Sequence, residues 1–239
     1  VLLAVLALLV IAGIQQSAKV ALAIFLLHVG TLVLFLSSGL FMFWQGQSFL
    51  SQNLSHTREL IRPDNLWYAL YLAFSVSLLG IAGFESSANF VEEQKRGVFR
   101  KTLRNMLIGV AVFNPLVALV VLSSMPYGAI VSAKDFVLAN AGFALGGATL
   151  RSIVALDALL VLSGAVLTAY IGVSGLLGRM VADGCLPAFL EKKNARGAYP
   201  RIVGMFLVLC VSILLATGGN LLSLAGVYAI AFLGVMSLF

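Results

Sequence analysis

Four apolar stretches, at residues 20–44, 66–88, 105–126 and 150–175, are each long enough to cross a bilayer as a helix. A hydrocarbon layer about 30 Å thick needs about 20 apolar residues at a rise of 1.5 Å each. Two shorter stretches, 201–217 and 221–239, are separated by Thr217-Gly-Gly-Asn220, which reads as a tight turn. Residues 1–14 read as the tail of one more helix, ended by Gly13 and the polar Gln15-Gln16-Ser17. Hydrophobic residues make up 61% of the chain and charged residues only 10%, for a mean hydropathy of +1.07. No water-soluble core needs that excess. The chain is therefore expected to be an all-α polytopic membrane protein, a single transmembrane domain over residues 1–239. It opens at Val1 and closes at Phe239 inside apolar runs, so it reads as a fragment of a longer protein.

The placement of lysine and arginine then orients the spans. Loops on one side carry Lys19, Lys95, Arg96, Arg100, Lys101, Arg104, Arg179, Lys192, Lys193, Arg196 and Arg201, eleven in all. The other side carries four: Arg58, Arg62, Lys134 and Arg151. The positive-inside rule puts the first set, with loops 89–104 and 176–200, in the cytoplasm. The net charge of +6 is thus a matter of topology, and no nucleic-acid partner is expected. Loop 45–65 faces outward, and within it Asn53-Leu54-Ser55 forms a glycosylation sequon. Cys185 in a basic loop and Cys210 in a span lie at different membrane depths, so no disulfide is expected.

One span is interrupted. Residues 78–93, Leu-Leu-Gly-Ile-Ala-Gly-Phe-Glu-Ser-Ser-Ala-Asn-Phe-Val-Glu-Glu, place Gly80, Gly83 and Glu85 in an otherwise apolar segment. Lipid offers no partner to a free peptide group, so a helix broken there must face protein or a water-filled cavity. A half-helix ending near Gly80 leaves carbonyls free for an ammonium group, and the next half-helix opens at Glu85-Ser86-Ser87 with its positive dipole end. On the other reading, both glycines serve close helix packing and Glu85 is a neutral, hydrogen-bonded acid.

Few other polar groups lie within the spans. His28 is the one spanning histidine; an imidazole exchanges protons near neutral pH, while burial favours its neutral form. Asp157, six residues after Arg151, is expected to reach the outer interface or pair with a neighbour. Asn114-Pro115 is expected to shape its helix and carry no chemistry. Ser163, Thr168 and Ser174 are expected mainly to bond their own helix, with one or two open to a cavity. Leu176–Phe189 reads as a short interfacial helix stopped by Asp183-Gly184 and Pro187. No nucleophile–base pair or metal-ligand spacing is present, so no enzymatic activity, metal or organic cofactor is expected.

Three motifs together resemble the amino acid–polyamine–organocation (APC) superfamily of permeases. Gly83-Phe84-Glu85-Ser86 with Glu92-Glu93 is similar to that family's sixth helix. Gly172-Val-Ser174 with Ala182-Asp183-Gly184-Cys185-Leu186-Pro187, followed by Pro200, is similar to its eighth helix and the loop beyond. Ser17-Ala18-Lys19 matches the entry to its fifth helix. The chain would then run from the end of the fourth helix to the tenth, a partial LeuT-like fold with a broken sixth helix around a midplane site.

The resemblance implies secondary active transport of an amino acid or related amine by alternating access across the plasma membrane, driven by protons. Gly80, Ile81, Ala82, Gly83 and Phe84 would hold the substrate, with peptide oxygens on its ammonium and Phe84 against its side chain. Glu85 would link the sixth helix to its neighbours or carry a proton. His28 falls where some proton-coupled members carry a lysine in place of a sodium site. Departures from the pattern touch substrate and stoichiometry: Gly175 stands where arginine is common, Val181 replaces a small residue, Leu79 stands where some exchangers have a gating aromatic, and Lys95–Lys101 lacks an Asn-Pro. Sodium coupling, exchange, and a non-transporting amino-acid sensor or assembly subunit are the alternatives. Neither the oligomeric state nor the particular amino acid follows from the residues.

Overall fold

The computed structural model describes residues 1–13, 18–60, 65–77, 80, 83, 84, 87 and 94–238. Among them the ordered elements are helices: α1 Leu2–Ile11, α2 Ala18–Trp44, α3 Leu50–Leu60, α4 Leu66–Ser77, α5 Val98–Ser124, α6 Tyr127–Ser132, α7 Val137–Ala182, α8 Pro200–Ala216 and α9 Leu221–Leu238. Among the described residues, three helical segments are long and apolar enough to cross a membrane: Lys19–Trp44, Val98–Ser124 and Lys134–Ala182. Large apolar side chains such as Phe25, Leu26, Trp67 and Phe74 stand more than half exposed. Such a surface suits lipid and is unsuited to water.

The chain divides into two compact units. The first comprises Val1–Ala21, Ala82–Arg104 and Leu162–Phe239; the second comprises Leu22–Ile81 and Asn105–Val161. In the first, Leu6, Ala7 and Val10 of α1 pack with Tyr170 of α7 and Val203 of α8. Tyr170 is buried, donates its hydroxyl to the Leu3 carbonyl at 3.3 Å and meets the Phe206 ring edge-on at 5.3 Å. Pro200 opens α8 in its first turn, where the missing N–H costs nothing. Gly218 and Gly219, at φ of +58° and +71°, reverse the chain into α9. The Asn220 side chain then accepts from the Ser223 N–H at 3.1 Å, a helix N-cap. In the second unit, Phe35 of α2, Val121 and Met125 at the end of α5, and Ala141, Leu150 and Val154 of α7 form the core.

Two boundaries differ from expectation. The α7 stretch turns at Gly146 and Gly147, the latter at φ +65°, so the long helix begins directly after the pair. It then runs on to Ala182, well beyond the expected end at 175. No separate interfacial helix follows among the described residues; Ala188–Glu191 is a single short 3-10 turn. Leu176 to Ala182 holds no helix breaker, and the first comes at Asp183-Gly184, with Gly184 at φ +75°. Likewise α5 starts at Val98 and takes the basic residues Arg100, Lys101 and Arg104 into its first turns.

Candidate functional site

The interruption predicted in the span 66–88 is present in the backbone. Helix α4 ends at Ser77, Gly80 has 3-10 geometry, and Gly83 sits at φ +105°. A φ of that sign breaks a right-handed ladder, and glycine alone adopts it without strain. Helical geometry resumes at Phe84 and Ser87, with the Ser87 N–H donating to the Gly83 carbonyl at 3.3 Å. Gly83 and Phe84 are half-buried and Gly80 is exposed. The chain passes from one compact unit to the other between Ile81 and Ala82. Of the expected site residues, Ile81, Ala82 and Glu85 lie outside the described residues.

Asn114 adds a contact that sequence reasoning missed. Its Nδ2 donates to the Gly80 carbonyl oxygen at 3.1 Å. A Cβ on residue 80 would stand 2.8 Å from that same nitrogen, so a side chain there would push the Asn114 amide aside. Helix α5 runs through Pro115 and presents Asn114 one residue before it. The Asn-Pro pair, expected to have only a geometric role, thus supplies a donor to a backbone carbonyl at the break.

His28 and Asp157 meet within the second unit. His28 Nδ1 of α2 lies 2.8 Å from Asp157 Oδ2 of α7, a distance at which an imidazole N–H donates to a carboxylate. The Asp157 side chain is 7% exposed and that of His28 37%. Asp157 Oδ1 is buried with no hydrogen-bond partner. The sequence did hold a signal for this pair: charged and imidazole side chains inside spans pair with one another, and few were available.

In the first unit, Ser174 is buried and its Oγ has no partner. It lines a cavity of about 170 Å³ with Val10, Gly13, Gly175, Arg196 and Tyr199. Thr168, by contrast, donates to its own helix at Gly164 O, 2.9 Å away. The end of α1 is held from the loop before α8. Asn194 Nδ2 donates to Ile11 O at 2.6 Å and Arg196 Nη1 to Ala12 O at 3.0 Å. These carbonyls are among those a helix leaves unpaired at its C-terminus, where a cation is also favoured by the dipole.

The sequon at Asn53 requires a correction. Asn53 is buried, and its Nδ2 donates to Leu122 O at 2.7 Å and Met125 O at 2.9 Å. Its Oδ1 accepts from the Tyr127 N–H at 2.9 Å. Both amide hydrogens are spent on joining α3 to the α5–α6 turn, so the nitrogen that would carry a glycan is inaccessible. Cys185 and Cys210 are both free thiols.

No curated protein and no solved structure matches the chain. A family model described as amino acid permease matches residues 1–239. The match agrees with the helical architecture, the apolar surface and the glycine-broken span. On these grounds the chain belongs to the amino acid permease family, whose members are membrane-embedded transporters of amino acids.

Proposed function

We propose that this permease moves an amino acid, or a related amine, by alternating access coupled to protons, with the substrate's ammonium held by the peptide oxygens of Gly80–Phe84. The observation that carries this reading is Gly83 at φ +105° between two helical stretches. Peptide groups freed at such a break, in a protein surrounded by lipid, need polar partners. An ammonium group supplies hydrogen-bond donors for the freed oxygens. Phe84 packs against the substrate side chain, and Glu85 links this helix to its neighbours or carries a proton. His28 supplies a titratable group within the spans, which favours protons over sodium as the coupling ion.

The test is uptake of a radiolabelled mixture of the common amino acids into proteoliposomes holding the intact permease. With an inwardly directed proton gradient, accumulation persists when choline replaces sodium at constant pH. Uptake that follows sodium and ignores the proton gradient would move the protein to the sodium-coupled class. Binding without any flux would make it a sensor.

A further inference from the structure

We infer that the end of α7 which the lysine and arginine count puts in the cytoplasm carries a phosphate-binding site, whichever solute the permease moves. The site is a cavity of about 170 Å³ in which Ser174, Arg196 and Tyr199 bind the oxygens of a free phosphate ion or of a lipid phosphate. Its first support is Ser174. A hydroxyl within a helix ordinarily bonds the carbonyl three or four residues back. Thr168 does so to Gly164 O at 2.9 Å, and Ser212 to Val208 O at 2.8 Å. Ser174 does not: it is 9% exposed, and its buried Oγ has no partner. A buried hydroxyl without a bond is costly, so its place in the cavity wall calls for a polar occupant.

Three segments of the first compact unit build the enclosure. Helix α1 ends on it with Val10 and Gly13, α7 gives Ser174 and Gly175, and the loop before α8 closes it with Arg196 and Tyr199. On Gly178, one turn past Ser174, an added Cβ would stand 3.0 Å from the Tyr199 hydroxyl oxygen, so the phenol end lies against α7. Arg196 is fixed at two points. A Cβ on Gly13 would come within 2.9 Å of its Cβ, and its Nη1 donates to Ala12 O at 3.0 Å. A guanidinium carries more N–H donors than that one bond uses. At about 30 Å³ of liquid per water, the volume takes several waters or one phosphate group.

Charge around the cavity selects an anion. Besides Arg196, a second guanidinium is close: Arg179 Nη2 stands 3.9 Å from where a Cβ on Gly175 would be. Lys193 Nζ lies 4.9 Å from the centroid of the Tyr199 ring. Among the described residues lining the cavity there is no carboxylate. The carbonyl end of α1, which would repel an anion, is already engaged, Ile11 O by Asn194 and Ala12 O by Arg196. A phosphate presents oxygens in several directions and pairs with a guanidinium as a fork. It therefore suits donors arriving from a helix on one side and a loop on the other better than the two oxygens of a carboxylate do. The positive-inside bias accounts for basic residues in this loop, but not for a hydroxyl left bare in a cavity wall.

The experiment follows thermal unfolding of the intact, detergent-solubilised permease as inorganic phosphate is added, with chloride at equal ionic strength as the control. Phosphate at about ten times its dissociation constant is expected to raise Tm by about 2–5 °C over that control. Ser174→Ala is expected to melt at or above the parent's temperature without phosphate, and to need about tenfold more phosphate for the same shift. Arg196→Gln is expected to lose the shift, and Arg196→Lys to regain part of it. Phosphatidylglycerol, with phosphatidylcholine as its control, separates the two sources. A shift with phosphatidylglycerol to which free phosphate adds nothing supports the site and assigns it to a lipid headgroup. A shift with inorganic phosphate alone supports the site and assigns it to the free ion. No shift with either would overturn the inference and leave a cavity holding water only. A shift of the parent's size and midpoint in both Ser174→Ala and Arg196→Gln would also overturn it, by placing the phosphate elsewhere. Should Arg196→Gln fail to fold, the phosphate midpoint of Ser174→Ala decides alone.

Discussion

Asn114 Nδ2 and the Gly80 carbonyl oxygen lie 3.1 Å apart, joining the middle of one long helix to a peptide group freed beyond the end of another. Gly80 lacks a Cβ at the point where one would meet that nitrogen at 2.8 Å. The contact ties the Gly80 peptide oxygen at the break to helix α5.

Loss of that donor has a modest, readable effect. A single hydrogen bond of this kind contributes about 0.5–1.5 kcal/mol, so Asn114→Ala is expected to weaken uptake about 2- to 10-fold. Initial rates in proteoliposomes with quantified protein test this. An unchanged rate would mean that the Gly80 carbonyl needs no positioning.

Gly83 permits the larger effect. Alanine at φ +105° brings strain of about 1–3 kcal/mol. Carried into the transport barrier, that slows uptake about 5- to 150-fold. Gly30 in α2, where an added Cβ meets nothing within 4 Å, is the control. Gly30→Ala is expected to leave the uptake rate unchanged.

The buried Asn53 leads to two outcomes. Expressed in a glycosylating host, the protein shows no mobility shift on treatment with an amidase that strips N-glycans. Asn53→Ala leaves the Tyr127 N–H and two carbonyls without their partner. The expected loss is about 2 kcal/mol, or about 4–8 °C in Tm for a chain of this size. Ser55→Ala removes the same sequon while sparing the amide, and its melting temperature stays at the parent's.

At the end of α1, Asn194 is half-buried and holds the loop before α8 as well as the helix. Its Oδ1 accepts from the Arg196 and Ala198 N–H groups at 3.0 Å each, while its Nδ2 holds Ile11 O. Asn194→Ala is expected to destabilise by about 1–2 kcal/mol. Arg196→Ala, an exposed residue giving one bond, is expected to cost less than half of that. Melting curves in detergent rank the two.

The helices and the interruption were legible because each follows from local chemistry. Apolar runs of bilayer length become helices, and Gly80 and Gly83 announce where the ladder cannot continue. Pairings between distant residues were not legible. His28 and Asp157 stand 129 positions apart, and the sequence shows that each needs a partner without showing which. The sequon misled for a related reason: a three-residue pattern records identity, and the burial of Asn53 is set by Leu122, Met125 and Tyr127, far along the chain. The end of α7 was misplaced because Leu176–Ala182 suits an interfacial helix and a continued span equally well.

The most direct measurement of substrate contact at the break is protection of a single thiol. In a background with Cys185→Ser and Cys210→Ser, both of which remove free thiols, Phe84→Cys is labelled with a membrane-permeant thiol reagent. The account predicts that a mixture of amino acids slows labelling at this position, whereas the matching 2-oxo acids, which lack the ammonium group, do not. Equal labelling with and without amino acids, in a protein that still transports them, would contradict substrate binding at Gly80–Phe84.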